Sequence, residues 1–346
     1  DYSYRVWLVD LASYSFWDEK VTTSYDLGAG VDVSTLTPFT LRFKDQEGGN
    51  LTWGNTAMLI DPPNPIAGSN WAFDSQWKNF TQDYGVILNP FSGLPMKQRL
   101  ERAEVTIQTG LPVEKTYDWV DLSFADTIEV PADAWLGWDV GEQNFTLAGE
   151  GVTARRKSVV YYPEGMLDQI KFHDGSKLSA ADFIMPLIMT YEMGTEGSAV
   201  YDPSMAPNLD AFKATFKGMR VTSTDPLVIE FYSDTFFLDA ELNVYTGWFE
   251  YGYGQAGWHT IAVSNLAEVA GELAYSQAKS TENEIEWTSY IAGPSLAILS
   301  KYTDQAKNDK LIPYPKVLGE YITEEEAAER FANLAAFYAQ RGHFYS

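Results

Sequence analysis

The sequence contains no cysteine and only three histidines, His173, His259 and His343. The first absence excludes disulfides, thiolate metal sites and cysteine nucleophiles together. The second leaves little for imidazole chemistry. The three histidines are widely separated, and no His-x-x-x-His or Glu-x-x-His pair occurs. No metal site of recognisable spacing is therefore written in the chain. There is no apolar run of transmembrane length and no secretory leader at Asp1. Basic residues are scarce as well: 24 Lys and Arg stand against 48 Asp and Glu, a formal net charge of −24. A surface this acidic repels phosphate backbones and anionic lipid, so nucleic acid is not an expected partner. Two catalytic signatures are missing too. No Gly-x-Ser-x-Gly elbow is present, and Gly252-Tyr253-Gly254 lacks the third glycine and the Lys-Ser/Thr of a phosphate loop.

Aromatic residues are plentiful: 11 Trp and 21 Tyr, within a composition that is 45% hydrophobic over 346 residues. That length supports two or three domains with substantial cores. Tyr and Trp add area to a core but also make adaptable ligand-contacting surfaces.

Strands are expected at Arg5–Val9, Thr37–Phe43, Glu104–Gln108, Trp119–Phe124 and Ser158–Tyr162. Met219–Thr222 and Leu227–Tyr232 form a hairpin around Ser223-Thr224-Asp225-Pro226. The stretch Asp61–Trp71 holds three prolines and reads as an ordered loop carrying a tryptophan. From about residue 260 the pattern turns helical, with Leu266, Val269, Ala270 and Leu273 as one stripe and Pro294 opening another helix. The last helix has Thr323 and Glu326 as a capping box, the stripe Ala327, Phe331, Leu334, Ala335 and Tyr338, and a Gly342 stop.

Asp133-Ala134-Trp135-Leu136-Gly137-Trp138-Asp139 sets two acids among two tryptophans, which would suit a glycosidase pair in a sugar-stacking cleft. Three Asn-x-Thr sequons, at Asn50, Asn79 and Asn144, fit exposed loops. The most informative stretch is Ile170–Phe183. It reads as a short strand, an Asp174-Gly175 turn and a helix on which Ser179 is the cap and Asp182 answers it. Phe183, Ile184, Leu187, Ile188 and Tyr191 share one helix face, with a kink expected at Pro186. His173 invites a catalytic reading, yet it has no chemical partner at recognisable spacing. A turn residue bonding the backbone is the better expectation, and His259 is expected to be structural or on the surface.

Phe172-His173-Asp174-Gly175 followed by Ser179-Ala180-Ala181-Asp182-Phe183 resembles the family 5 extracellular solute-binding proteins of ABC importers. Those proteins carry peptides, nickel chelates and some oligosaccharides. Asn64–Trp71, Trp119-Val120 with Val130–Trp135, and Ser223–Leu227 feeding a strand extend the resemblance, which covers about 100–240 most closely. The N-terminal part looks longer than is usual in the family. The family's Gly-Thr-Gly-Pro-aromatic crossover and second large lobe are not in the sequence, which reads as a processed or truncated piece.

The resemblance implies a mixed α/β fold of periplasmic-binding-protein-like type II lobes, incomplete for want of the second lobe. The expected divisions are a β-rich 1–100, a mixed 101–260 and a helical 261–346. The implied role is the non-enzymatic capture of a peptide- or oligosaccharide-like solute outside the cell, without a cofactor, for a membrane permease. The chain would be anchored through a segment beyond it. Asn70, Trp71 and Asp74 sit in the loop whose character suits a ligand cleft. The alternatives are a carbohydrate-active enzyme at Trp135 and Trp138, and a binding-protein fold serving a structural role at the cell surface.

Overall fold

The computed structural model describes residues 18–25, 34–54, 61–66, 80–248 and 256–345. They form a mixed α/β fold around a seven-stranded sheet. Its strands, in chain order, are β1 (Arg102–Gln108), β2 (Val120–Ala125), β3 (Trp135–Asp139), β4 (Asn144–Leu147), β5 (Arg156–Tyr161), β6 (Phe216–Thr224) and β7 (Leu227–Ser233). The spatial order is β2-β1-β5-β7-β6-β3-β4, with β1 and β2 parallel and every other neighbour antiparallel.

Period-two alternation explains which face is buried. On β1, Ala103, Val105 and Ile107 are fully buried while Arg102, Glu104 and Thr106 point the other way. The register sets Ser158 opposite Val105 and Phe231, and Val160 opposite Ala103 and Ile229, so one face is continuous across β1, β5 and β7. Helix α1 (Ala180–Gly194) belongs to the same core; it is buried along nearly its whole length, with Asp182 and Glu192 as buried acids among apolar residues. Pro186 sits inside it, and the helix continues through to Gly194. Helix α2 (Ala206–Thr215) packs on α1. The short α3 (Ala240–Tyr245) fixes itself to β5 through Ser158 Oγ, which donates to the Asn243 carbonyl at 3.1 Å.

The C-terminal part is helical, as expected: α4 (Trp258–Val269), α5 (Ser295–Asp309) and α6 (Glu324–Arg341). Pro294 caps α5, Thr323 Oγ1 accepts the Glu326 amide at 3.1 Å, and Gly342 ends α6 with φ of 74°. One hydrophobic core runs from Val86 to Phe344 and joins the regions 101–260 and 261–346.

Two expectations fail. Thr37–Phe43 is not one strand: Thr37–Thr40 makes a helical turn with Pro38 in its first positions, and only Arg42–Phe43 pairs, with Val21–Thr22. The stripe Leu266–Leu273 is also wrong. The helix ends at Val269, which is 58% exposed, and Leu273 belongs to a two-residue strand. Instead the first two turns, Trp258–Ser264, are buried on every side, and Ala267 and Glu268 continue the buried surface. Arg5–Val9 lies outside the described residues.

Helix α1 meets α2 at Gly194, where a Cβ would stand 2.5 Å from Leu209 Cβ. Gly194→Ala should therefore cost about 1–3 kcal/mol by overpacking. Denaturant unfolding is the check, and truncating Leu209 to Ala in the same background should not recover the loss, because the offending Cβ remains and a buried side chain is removed.

Candidate functional site

The motif segment folds as a turn followed by a helix; the expected short strand is reduced to an isolated bridge between Lys171 and Lys177. The Phe172 amide donates to the Ser176 carbonyl and the Gly175 amide to the Phe172 carbonyl, both at 2.9 Å. Gly175 supplies the required φ of +91°. Asp174 Oδ1 accepts the Ser176 amide at 2.8 Å, so the backbone-bonding role expected of His173 belongs to Asp174. His173 itself is exposed. The capping box is present: Ser179 accepts from the N3 amide, and the Ser179 amide donates to Asp182 Oδ2 at 2.8 Å.

Asp182 does more than cap. Its carboxylate is fully buried and accepts both terminal nitrogens of Arg330, each at 3.0 Å, in a forked ion pair. Its Oδ1 also accepts the Trp258 amide at 2.9 Å, which ties the first turn of α4 to that of α1. Arg330 donates further to the Lys177 carbonyl and lies over the Trp258 ring, 5.0 Å from its centroid. His259 completes the arrangement, with its side chain and that of Asp174 both at 0% exposure and Nε2 2.8 Å from Asp174 Oδ2. Its Nδ1 stands 3.4 Å from Arg330 Nη1. A guanidinium only donates, so Nδ1 is the acceptor here and Nε2 carries the proton given to Asp174. Burial pushes the Asp174 carboxyl up, but the bonds from His259 and the Ser176 amide outweigh it and leave it below the ordinary aspartate value.

Of this clamp, Arg330 lines a cleft of about 570 Å³, behind which the other members are buried. Asp168, Asp225, Glu320, Glu326 and Glu329 line it against two basic residues, Lys177 and Arg330. Lys177 is paired with Asp168 at 2.8 Å, and Arg330 is neutralised by Asp182. Burial pushes the Glu326 carboxyl up, with Arg330 opposing. The cleft thus presents a negative field, which favours cations over anions. Its serines are engaged elsewhere: Ser176 Oγ accepts from Asn333 at 3.3 Å and Ser179 Oγ donates to Asp182. Neither hydroxyl bonds to a histidine. No group of three His, Cys, Asp or Glu among the described residues is placed to hold a metal ion. None of the described helices is long and apolar enough to cross a membrane.

Asn70, Trp71 and Asp74 lie outside the described residues, as do Gly252–Gly254. The start of their loop is placed. Asn64 Nδ2 donates to the Tyr275 carbonyl at 3.1 Å, and the Tyr290 amide donates to the Pro63 carbonyl at 3.0 Å. The carboxylates near the tryptophans are occupied and apart. Asp133 holds Arg220 at 3.0 Å, and Asp139 Oδ1 accepts the Gly141 and Glu142 amides at 2.9 Å. Asp133 precedes β3 and Asp139 ends it, a strand whose five residues extend about 17 Å, against the ~5–9.5 Å between carboxyls in glycoside hydrolases. Trp138 Nε1 donates to buried Glu192 at 2.6 Å, and Trp135 stacks on Phe145 at 4.6 Å.

Arg330 was not singled out in the sequence, although a signal exists. It falls on the apolar stripe of α6, three residues after Ala327 and one before Phe331. A charge at such a position implies a buried partner. Arg330→Met should cost about 3–5 kcal/mol in denaturant unfolding, because it strands the Asp182 carboxylate. The double variant with Asp182→Leu should cost less than the sum of the singles. Because the folded Asp174 pKa lies below its unfolded value, its contribution is full above pH ~4 and fades as pH falls through the folded value. Asp174→Asn should therefore flatten the acid limb of the stability curve below pH ~4. No protein-family model and no curated protein matches the chain, so the role of this site rests on its geometry and its motif.

Proposed function

We propose that the chain is a ligand-binding lobe of an extracytoplasmic solute-binding protein, delivering a peptide- or oligosaccharide-like solute to an ABC importer. The observation that carries the reading is the use made of the motif. Phe172–Asp182 forms a turn closed by an isolated Lys171–Lys177 bridge and the capped start of α1, and its acids are bound inward to His259 and Arg330, leaving no poised acid–base pair. A solute-binding lobe needs that kind of rigid support, because closure over a ligand is a movement of intact bodies about a hinge. Two further observations support it. The hairpin β6–β7 follows the capped helix and joins the same sheet, in the order the resemblance implies. The cleft beside the clamp is open and polar, and its serines do not bond to a histidine.

In this reading the ligand contacts come from loops, with Asn70, Trp71 and Asp74 the residues proposed to face the solute. The permease is the proposed membrane partner, and the chain works outside the cytoplasm without a cofactor. Thermal unfolding of the full-length protein against panels of short peptides and oligosaccharides tests it. A true ligand at one hundred times its Kd stabilises by about 2.7 kcal/mol, a rise of several degrees in Tm. A flat response across both panels rejects solute capture.

A further inference from the structure

We propose that Asn50 is an N-glycosylation site, a place where an oligosaccharide is attached covalently to the folded chain. The assignment rests on the extracytoplasmic reading above, since such transfer occurs on exported proteins. Two of the three Asn-x-Thr sequons fall among the described residues, Asn50-Leu51-Thr52 and Asn144-Phe145-Thr146, and their settings differ.

Asn50 lies in an irregular segment in which every residue from 44 to 52 is exposed. Gly48 and Gly49, at φ of 67° and 128°, bring the chain into it, and Gly54 follows. A transferase must bend the backbone so that the Asn amide and the Thr hydroxyl are engaged together. A segment free of a sheet ladder and flanked by glycines allows that after folding. Beside the sequon lies apolar surface that a proximal sugar would cover: Leu51 is 43% exposed, and Trp53 meets half-exposed Phe80 edge-on at 5.8 Å.

Asn144 is held differently. It opens β4, its Oδ1 accepts the Phe145 amide at 2.9 Å, and Phe145 is buried. Thr146 Oγ1 sits so close over Gly137 that a Cβ there would come within 2.6 Å of it. Its asparagine and threonine are both exposed, but all three residues of that sequon are held in the ladder with β3, opposite Asp139, Trp138 and Gly137. Of the two described sequons, Asn50 is the acceptor left free of the sheet.

The co-reactant is an oligosaccharide on a lipid pyrophosphate. Asn50 Nδ2 attacks the anomeric carbon, and a C–N bond forms as the C–O bond to pyrophosphate breaks. The lipid pyrophosphate leaves with the electron pair, and the amide proton passes to a base of the transferase.

The test is peptide mapping of the full chain isolated from its own cells, with enzymatic deglycosylation in ¹⁸O water to mark each formerly glycosylated Asn as labelled Asp. Protease treatment of intact cells reports in parallel whether the chain is outside. The expected result is label at Asn50, with intact mass falling by one glycan in both Asn50→Gln and Thr52→Ala and unchanged in Asn144→Gln. Unlabelled Asn50 on a chain that external protease reaches overturns the assignment and leaves solute capture standing. Unlabelled Asn50 on a chain confined to the cytosol overturns both.

Discussion

The buried ion pair between Asp182 and Arg330 is the contact on which the arrangement of the other elements depends. It joins residues 148 apart in sequence, and neither side chain reaches solvent appreciably. Removing two such charges from water is costly, and their attraction offsets that cost only when every remaining donor and acceptor is matched. Here most are matched. Asp182 also takes the Ser179 and Trp258 amides, while Arg330 reaches the Lys177 carbonyl and His259. Those are the first turns of α1 and α4 together with one face of α6. A register error in any of the three helices would strand a charge, so the pair selects one packing of these helices over near alternatives.

That dependence shows what was legible in the sequence. Local signals read well because they need only neighbours. The alternation on β1, the Ser179–Asp182 capping box, the Thr323 cap and the Gly342 stop all appear where their spacing placed them. Long-range pairings did not. Asp182 looked fully used as a helix cap, and nothing near it in the chain indicates that its oxygens also serve Arg330. His259 illustrates the same limit. Its character follows from Asp174 and Arg330, brought to it from other elements, and not from the neighbouring Trp258. Thr37–Phe43 failed for a local reason: its apolar alternation was outweighed by Pro38, which suits the first turn of a helix.

The scarcity of basic residues acquires a structural sense from where they are used. On the outer face of the sheet, Glu230 binds Lys157 at 2.8 Å, Arg220 at 2.6 Å and the Tyr232 hydroxyl at 2.8 Å. Burial pushes that carboxyl up, but these partners bring it below the ordinary glutamate value. Lys279 is likewise directed inward, to Glu268 and the Tyr201 carbonyl. With 24 bases for 48 acids, such inward use leaves acids in excess on the surface. The acidic cleft beside the clamp is one expression of that excess, and its field extends over the whole molecule without being specific to a ligand.

The histidine that makes the Phe-His-Asp-Gly segment conspicuous is its least constrained member. His173 is exposed, while the aspartate after it is locked to His259 and the phenylalanine before it packs edge-on against the same ring at 5.7 Å. A catalytic motif keeps its reactive groups accessible and its supports buried; here the acids of the motif are themselves the supports. Such a segment ties the start of α1 to α4 and α6. If the lobe closes over a solute, these elements move as one body, and affinity is set by the loops they carry. Changes within the clamp would then alter how much of the lobe is folded, whereas changes in the loop leaving Pro63 and Asn64 would alter what it holds. Stability and specificity would reside in different parts of the same chain.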